Sequence, residues 1–226
     1  MKRSEINEIL REGEKFIQSF GYVLPPFAAW SAEEFAQQDH AMLIERGMGW
    51  DITDYGQGKF DELGLFLFTV RNGLERDLKH GTGMLYAEKI MISRRNQLSP
   101  MHRHFLKAED IINRGGGTLV LELFAGAPEG SIDREADVTV PVDGQLRTLK
   151  AGGHLTLNPG ESVTLLPGIW HAFWGEGDDV LIGEVSTVND DKNDNEFEMP
   201  IGRFADVTED EQPERWLVSD YDRFGV

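Results

Sequence analysis

The chain has 226 residues, of which 40% are hydrophobic and 27% are charged, values that are typical of a soluble globular domain. Its formal net charge of −18 predicts repulsion from nucleic acid and from anionic membranes, so we expect neither as a partner. The sequence contains no cysteine, which excludes disulfides, thiolate nucleophiles and cysteine-held iron–sulfur clusters and fits a cytoplasmic protein.

The first 60 residues are predicted to form a helical extension. Apolar residues recur at helical spacing over residues 4–20, and Ser31 with Glu34 forms a capping box at the start of a second helix. The opening MKRSEINEIL places acidic residues where a secretory signal needs an apolar core, so we expect no such signal. We assign residues 1–60 to an N-terminal helical extension that packs on the following domain.

Beyond residue 60 the pattern changes to short strands separated by turn signals. Strand-like runs occupy residues 63–70, 84–93, 117–124, 138–142, 146–150, 154–157, 162–166 and 180–186. Asp143-Gly144 favours a tight hairpin, and we interpret Gly115-Gly116-Gly117 as another turn. From Asn189 onward the chain is polar and acidic, and we predict loop with one short element near Trp216. Residues 61–226 are therefore predicted to form an all-β domain with an acidic C-terminal segment.

Potential metal ligands cluster after residue 100. His102 and His104 are two residues apart, so on a strand both side chains project from the same face. Glu109 follows closely, and His171 begins a strand directly after the Pro167-Gly168 turn. A His-x-His pair alone is a weak signal, but the four residues together favour one divalent metal ion.

The spacing of these residues resembles that of the cupin family. The pattern His102-x-His104-(x4)-Glu109-(x6)-Gly116 is similar to the first cupin signature, and Gly160, Gly168 and His171 are similar to the second. This resemblance implies a cupin-type β-barrel, or jelly roll, with the predicted helices at its N-terminus. It also implies that the four ligands hold one metal ion inside the barrel.

Further segments resemble the D-lyxose isomerase family. They are MKRSEIN at residues 1–7, LPPFA at 24–28, YAEKI at 86–90, EDIINRGGG at 109–117 and GEVSTVND at 183–190. The resemblance implies a manganese-dependent aldose–ketose isomerase that forms a homodimer. Its substrate would be a monosaccharide: such enzymes interconvert D-lyxose with D-xylulose, and often D-mannose with D-fructose.

The donor set is compatible with this chemistry. Three neutral imidazoles and one carboxylate leave an octahedral ion two adjacent open positions, which O1 and O2 of a 1,2-hydroxycarbonyl sugar can fill. The donors do not identify the metal, because nitrogen and oxygen sites bind copper or nickel more tightly than manganese. Cellular supply must therefore decide which ion is bound.

Aldose–ketose exchange through a cis-enediol needs a base that moves a proton between C2 and C1. Glu184 is the first candidate because it interrupts an apolar strand, where a carboxylate is costly unless it is paired or functional. The alternative is that Glu184 faces water. Lys89 is the second candidate, either for catalysis or for hydrogen bonding to a sugar oxygen. Neighbours Glu88 and Lys89 face opposite sides of a strand, so only one of them enters the barrel.

Three polar residues after the last predicted core strand are candidate sugar ligands. Asp190, Asp194 and Arg203 join Lys89 and Glu109 in this predicted substrate-binding set, and a solvated acidic loop is the alternative for the first two. A sugar isomerase is the leading functional hypothesis. A cupin dioxygenase holding iron with the same four ligands and a non-catalytic sugar-binding barrel are the alternatives. An oxygenase needs no base for C1–C2 proton transfer, and a binding module needs no ionisable group in its pocket.

Overall fold

The computed structural model describes residues 1–225, which form four α-helices and twelve β-strands. The helices are α1 (Arg3–Ser19), α2 (Ala32–Gln37), α3 (Ala41–Glu45) and α4 (Glu75–His80). The strands are β1 (Gly49–Thr53), β2 (Leu65–Asn72), β3 (Tyr86–Ser93), β4 (Ser99–Arg103), β5 (Glu109–Gly126), β6 (Ile132–Asp133), β7 (Val138–Val142), β8 (Gln145–Leu149), β9 (Gly153–Leu157), β10 (Ser162–Leu165), β11 (Trp170–Thr187) and β12 (Glu196–Phe197). Short 3-10 helices cover Pro26–Ala29 and Val218–Phe224.

The strands form one antiparallel sheet in the order β1-β2-β3-β11-β5-β10-β7-β8. Strands β4, β6, β9 and β12 pair to the sides of this path. The predicted fold class, an all-β cupin-type barrel with N-terminal helices, is confirmed. The Asp143-Gly144 hairpin between β7 and β8 is confirmed as well, and both residues have a positive φ, as the tight turn requires.

Side chains alternate between two apolar layers. In β2, Leu65 and Leu67 belong to the core inside the barrel, whereas Phe66 and Phe68 belong to the core between the sheet and α1. Successive strand residues point to opposite faces, so this near-continuous apolar strand supplies both layers. The buried positions of α1 recur at helical spacing and cover the outer face of β1, β2 and β3.

The N-terminal region contributes a strand as well as helices. The capping box at α2 is confirmed, because Ser31 Oγ accepts from the Glu34 amide at 3.1 Å and Glu34 accepts from the Ser31 amide at 2.8 Å. Strand β1 precedes residue 60, where we predicted the domain boundary, and it pairs with β2 along its whole length. The boundary itself stays a prediction.

The two longest strands, β5 and β11, have 18 residues each and pair from Trp170↔Phe124 to Ser186↔Glu109. We predicted a turn at Gly115-Gly116-Gly117, but β5 continues through these glycines. Gly116 has a φ of +94°, and a Cβ there would lie 2.1 Å from the Asp179 carbonyl oxygen. Only glycine permits this close approach of the two backbones.

The acidic C-terminal segment returns across the barrel and then along α1. Strand β12 pairs with β4, and Arg3 of α1 donates to both Asp220 and Glu209. The short element predicted near Trp216 is the 3-10 helix that begins at Val218. Among the described residues, no helix has both the length and the apolar character needed to cross a membrane.

Candidate metal centre and substrate pocket

A cavity opens into the barrel and, with the solvent space at its mouth, has about 430 Å³ of empty volume. Its apolar wall comes from barrel-facing residues such as Leu67, Ile111 and Phe173. The rest of its lining is polar and consists of Tyr55, Lys89, Ser99, His102, His104, Lys107, Glu109, His171, Glu184, Asp191, Asn195 and Arg203. The barrel interior is thus divided between an aliphatic core and a charged cavity.

The three predicted histidine ligands meet in this cavity. His102 is in β4 and His171 is in β11, and the two are register partners across the antiparallel pair. His104 follows one residue after the end of β4. One ring nitrogen of each histidine lies within 4.8 Å of the others, and two of the three side chains are buried and one half-buried. We call His102, His104 and His171 the histidine cluster.

Backbone carbonyl oxygens orient all three rings. Nδ1 of His102 lies 2.8 Å from the Pro100 oxygen, that of His104 lies 2.7 Å from the Asp194 oxygen, and that of His171 lies 3.1 Å from the Ile169 oxygen. A carbonyl oxygen only accepts, so each Nδ1 carries the proton and each Nε2 keeps a free lone pair. Burial lowers the pKa of His102 well below its usual range, and the two neighbouring histidines add to the effect, so this ring is neutral.

Glu109, the predicted fourth ligand, begins β5 and faces the histidine cluster. Its Oε1 lies 3.4 Å from His104 Nε2 and 3.2 Å from His171 Nε2, yet it has no well-formed hydrogen bond within residues 1–225. Burial raises the pKa of Glu109, but the Lys107 ammonium together with His104 and His171 outweighs burial and holds that pKa well below its usual range.

The Glu109 oxygen that lacks a hydrogen-bond partner indicates whether these residues suit a metal ion. With Nδ1 protonated on each ring, the Nε2 lone pairs and Glu109 Oε1 are all electron donors at close range. Such groups repel one another unless a cation lies between them. Imidazole nitrogen and carboxylate oxygen together suit a divalent first-row transition metal. His102, His104 and His171 therefore fit one such ion, and Glu109, beside His104 and His171, is the candidate fourth donor.

Charged side chains of alternating sign lead away from Glu109 along the cavity. In order, the contacts join Glu109 Oε2 to Lys107 Nζ at 2.7 Å, Lys107 Nζ to Glu184 Oε1 at 3.0 Å, Glu184 Oε1 to Lys89 Nζ at 3.5 Å, Lys89 Nζ to Asp191 Oδ1 at 3.6 Å, Asp191 Oδ1 to Arg203 Nη2 at 3.4 Å, and Arg203 Nη1 to Asp51 Oδ2 at 2.8 Å. We call this series the ion-pair chain. Each ion in it has an oppositely charged neighbour, which reduces the cost of burial, although at Asp51 burial outweighs Arg203 and raises the pKa of the carboxyl.

The structure settles the two strand orientations that the sequence left open. Glu184 is only 3% exposed and lines the cavity, so it does not face water. Lys89 also lines the cavity, whereas Glu88 faces outward and contacts Tyr22 and Arg71. Burial raises the pKa of Glu184, but Lys107 and Lys89 outweigh burial and leave that pKa below its usual value. Glu184 is therefore ionised at neutral pH.

Lys107 is a cavity residue that the sequence reasoning missed. It contacts both Glu109 and Glu184, and it is 3% exposed. The available signal was its spacing, because Lys107 and Glu109 are two residues apart and an extended backbone places both on one side.

Two of the predicted sugar ligands do not line the cavity, as far as the described residues show. Asp194 Oδ1 accepts from the amides of Phe105 and Leu106, and its Oδ2 accepts from the amide of Lys107. Asp190 Oδ1 accepts from amides within its own turn, at residues 192 and 193. The acidic residue of this segment that does line the cavity is Asp191, and Arg203 lies beside it.

Comparison with known sequences places this site in a family. A model of the D-lyxose isomerase family matches residues 1–221. The D-lyxose/D-mannose isomerase of Serratia proteamaculans is 46% identical over 229 residues, which cover 99% of each chain. That of Escherichia coli O157:H7 is 44% identical over 229 residues, covering 99% of this chain and 100% of the other.

Solved structures with the same fold include two L-ribose isomerases. That of Acinetobacter sp. DL28, in complex with L-ribose, has a TM-score of 0.63 at 15% identity, covering 92% of this chain and 98% of the other. That of Cellulomonas parahominis, with L-ribose, has a TM-score of 0.57 at 16% identity, with the same coverage. At such identities the likeness shows the fold alone. The predicted aldose–ketose isomerase is confirmed by the full-length sequence matches, and the chain belongs to the D-lyxose isomerase family.

Proposed function

We propose that the chain interconverts D-lyxose with D-xylulose and D-mannose with D-fructose, with one divalent ion held by His102, His104, Glu109 and His171. The observation that carries this proposal is the placement of Glu184. It is a buried, ionised carboxylate in the same cavity as the histidine cluster, with a lysine ammonium on two sides. A base and a cation site that share one small cavity are what proton transfer beside a carbonyl requires.

Each cavity residue has a role in this proposal. Glu184 accepts the proton from C2 of the aldose as negative charge develops on the C1 carbonyl oxygen, the O2 proton passes to O1, and Glu184 returns its proton to C1 as the C2 carbonyl forms. Lys107 and Lys89 flank Glu184, and their positive charges stabilise sugar oxygens that gain negative charge. A divalent ion bound by the four ligands would supply a fixed positive charge beside the carbonyl oxygen. Lys89, Glu109 and Arg203 line the cavity and are our proposed sugar contacts.

The proposal extends to the metal, the assembly and the location. We propose Mn²⁺ as the native ion, a homodimer as the assembly and the cytoplasm as the compartment. Support for the ion and the dimer comes from the family resemblance, and support for the compartment comes from the cysteine-free composition.

The direct test is turnover by purified protein that has been stripped of metal and reloaded. We expect protein reloaded with Mn²⁺ to convert D-lyxose to D-xylulose, and D-mannose to D-fructose, without oxygen in the buffer. Metal-free protein should show no turnover, and adding back other divalent ions should rank Mn²⁺ first. Gel filtration with light scattering should give twice the chain mass of 25.5 kDa.

Two outcomes would contradict the proposed activity in different ways. Oxygen uptake with an organic acid, and no turnover of any aldose, would point to an iron dioxygenase. Saturable binding of monosaccharides without interconversion under any divalent metal would point to a non-catalytic barrel.

A further inference from the structure

Arg203 belongs to a stretch of coil, yet β1 holds it at two points. Thr53 Oγ1 donates a hydrogen bond to the Arg203 carbonyl oxygen at 2.8 Å. Asp51 Oδ2 accepts one from Nη1 of the Arg203 guanidinium, also at 2.8 Å. Asp51 and Thr53 are two residues apart on a strand, so their side chains leave the same face. One face of β1 therefore fixes both the backbone and the charged end of Arg203.

Asp51 stands behind Arg203 and is not part of the described cavity lining, which includes Arg203 and Asp191. Only 2% of Asp51 is exposed. On the cavity side, Nη2 of Arg203 lies 3.4 Å from Asp191 Oδ1. The guanidinium is thus shared between a carboxylate behind it and one beside the cavity. A guanidinium has five N–H donors in a rigid plane, and the donors left over are available to a ligand.

Burying the Asp51 carboxylate at this position costs free energy of folding. It projects toward the barrel interior, because its register partner Leu67 lines the cavity and partners across a strand pair share a face. Its second oxygen, Oδ1, has no hydrogen-bond partner in the described part of the chain. A buried carboxylate oxygen without a partner destabilises the fold, so holding Arg203 is the contribution that accounts for Asp51 here.

The ion-pair chain locates Arg203 relative to the reacting carbons. The chain begins at Glu109, beside the histidine cluster, and passes Glu184 and Lys89 before it reaches Arg203. C1 and C2 of a bound sugar must lie near Glu184 and the histidine cluster if Glu184 transfers the proton. The hydroxyls at the other end of the sugar then extend toward Arg203.

We propose that Asp51 is a positioning residue that holds Arg203 so that its free N–H groups bind the sugar hydroxyls farthest from the reacting carbons. This inference rests on the proposed function. Contacts to distant hydroxyls are made equally in the ground state and in the transition state. Losing them therefore raises KM and leaves kcat nearly unchanged.

The test begins with Asp51→Asn in the metal-loaded enzyme. We expect KM for D-lyxose and D-mannose to rise about tenfold, with kcat within about twofold of the original and the metal content unchanged. Asp54→Asn is the matched control. Asp54 is a carboxylate of similar burial three residues away, but it accepts from the amides of Gly56 and Gly58, pairs with the N-terminal ammonium at 3.8 Å, and is not part of the described cavity lining. It should leave KM unchanged.

A double-mutant cycle shows whether Asp51 acts through Arg203. Arg203→Ala should raise KM at least as much as Asp51→Asn, and adding Asp51→Asn to Arg203→Ala should change nothing further. Additive effects would overturn the inference, because they would mean that Asp51 acts by another route. A fall in kcat with an unchanged KM in Asp51→Asn would overturn it as well.

Binding of reduced sugars separates this inference from the proposed activity. D-arabinitol and D-mannitol keep the distant hydroxyls but cannot isomerise, and calorimetry on metal-loaded protein gives their Kd. Asp51→Asn should weaken both by about tenfold, and it should do so even if no aldose is turned over. An unchanged Kd in a protein that still isomerises sugars would refute the role of Asp51 alone.

Thr53→Val covers the case in which Asp51→Asn does not fold. It keeps every charge, releases the Arg203 carbonyl oxygen, and also removes the acceptor of the Tyr55 backbone amide. A rise in KM at constant kcat would support the inference, and an unchanged KM would contradict it.

Discussion

The histidine cluster and the ion-pair chain, except for its last member Asp51, line the same cavity but are held in place by different means. Each histidine ring is oriented by a backbone carbonyl oxygen, at Pro100, Asp194 or Ile169. The charged residues are oriented by one another, through contacts between side chains that are far apart in sequence. The three histidines therefore depend on the backbone, whereas the charged groups, Glu109 included, depend on their charged neighbours.

This difference predicts how each region responds to substitution. Removing a histidine should abolish metal binding and leave the fold intact. Removing a member of the ion-pair chain leaves its neighbours as uncompensated buried charges, so stability should fall together with activity. The substitutions below test this contrast, beginning with the largest expected effect.

His171→Ala should abolish stoichiometric metal binding and reduce turnover below detection. The remaining donors no longer complete the four-ligand set, and any retained ion would be weakly held. Metal content by mass spectrometry and D-lyxose turnover are the measurements. His154→Ala is the control, because His154 is an exposed histidine on β9 whose register partner is Glu122. A His171→Ala variant with full metal content would show that the assigned donor set is wrong.

Glu184→Gln should keep the metal and lower kcat by about 10²- to 10⁴-fold, the usual contribution of a general base. The amide preserves the shape of the side chain but cannot accept the C2 proton. Glu88→Gln on the paired strand is the matched control, since Glu88 faces away from the cavity. If Glu184→Gln retained near-normal kcat, another group would have to carry the proton.

Lys107→Met should lower the free energy of unfolding by about 3–5 kcal/mol, because Glu109 and Glu184 lose a shared buried cation. Urea unfolding of the metal-free protein measures this loss. Lys79→Met is the control, because Lys79 is 65% exposed and pairs only with Glu75 along α4. Equal, small losses for the two variants would contradict the contrast between the two regions.

Asp194→Asn should weaken metal binding by about 10- to 100-fold, the usual effect of changing a residue that supports a ligand. Its carboxylate accepts hydrogen bonds from three successive backbone amides between His104 and Glu109. The asparagine side chain has a single oxygen, so it replaces only part of these hydrogen bonds. Competitive titration with a chelator gives the metal Kd. Asp190→Asn, which affects only its own turn, should leave that Kd unchanged. Equal Kd values for the two variants would show that Asp194 does not support the metal ligands.

The sequence predicted the histidine cluster better than the ion-pair chain. The cluster follows from local sequence patterns, whereas the ion-pair chain depends on contacts between residues that are distant in sequence. The ligand motif combines the period of a strand with a turn, and both are local properties of the sequence. The partner of Lys107 at Glu184 lies 77 positions away, and no local pattern reports such a pairing. Asp191 and Asp194 illustrate the limit, because both occur in one acidic run and only the fold decides which of them lines the cavity.

The fold was predicted correctly in the region where alternating residues and turn signals repeat, and it was missed at strand β1 and at the glycines of β5. The alternation and turns after residue 60 correctly indicated an antiparallel barrel. Strand β1 was missed because it is only five residues long and lies in a region interpreted as helical, although Trp50 and Ile52 face the core against α1 and the two polar residues between and after them face the opposite side. The glycines at 115–117 were interpreted as a turn because the local sequence does not show that they allow β5 and β11 to approach each other closely.

The close approach of β5 and β11 at these glycines also bears on how the proposed base and a proposed metal ligand come together. His171 and Glu184 belong to one continuous strand, and thirteen residues of straight strand would separate them by about 43 Å. They line a single cavity, so the β5–β11 ribbon must curve between them, and its register shifts between Glu176 and Val180, opposite the glycines of β5. The curvature of the ribbon therefore contributes to the distance between the proposed base and the proposed ligand. Adjusting that distance requires a change at the bend, among residues that never touch the sugar.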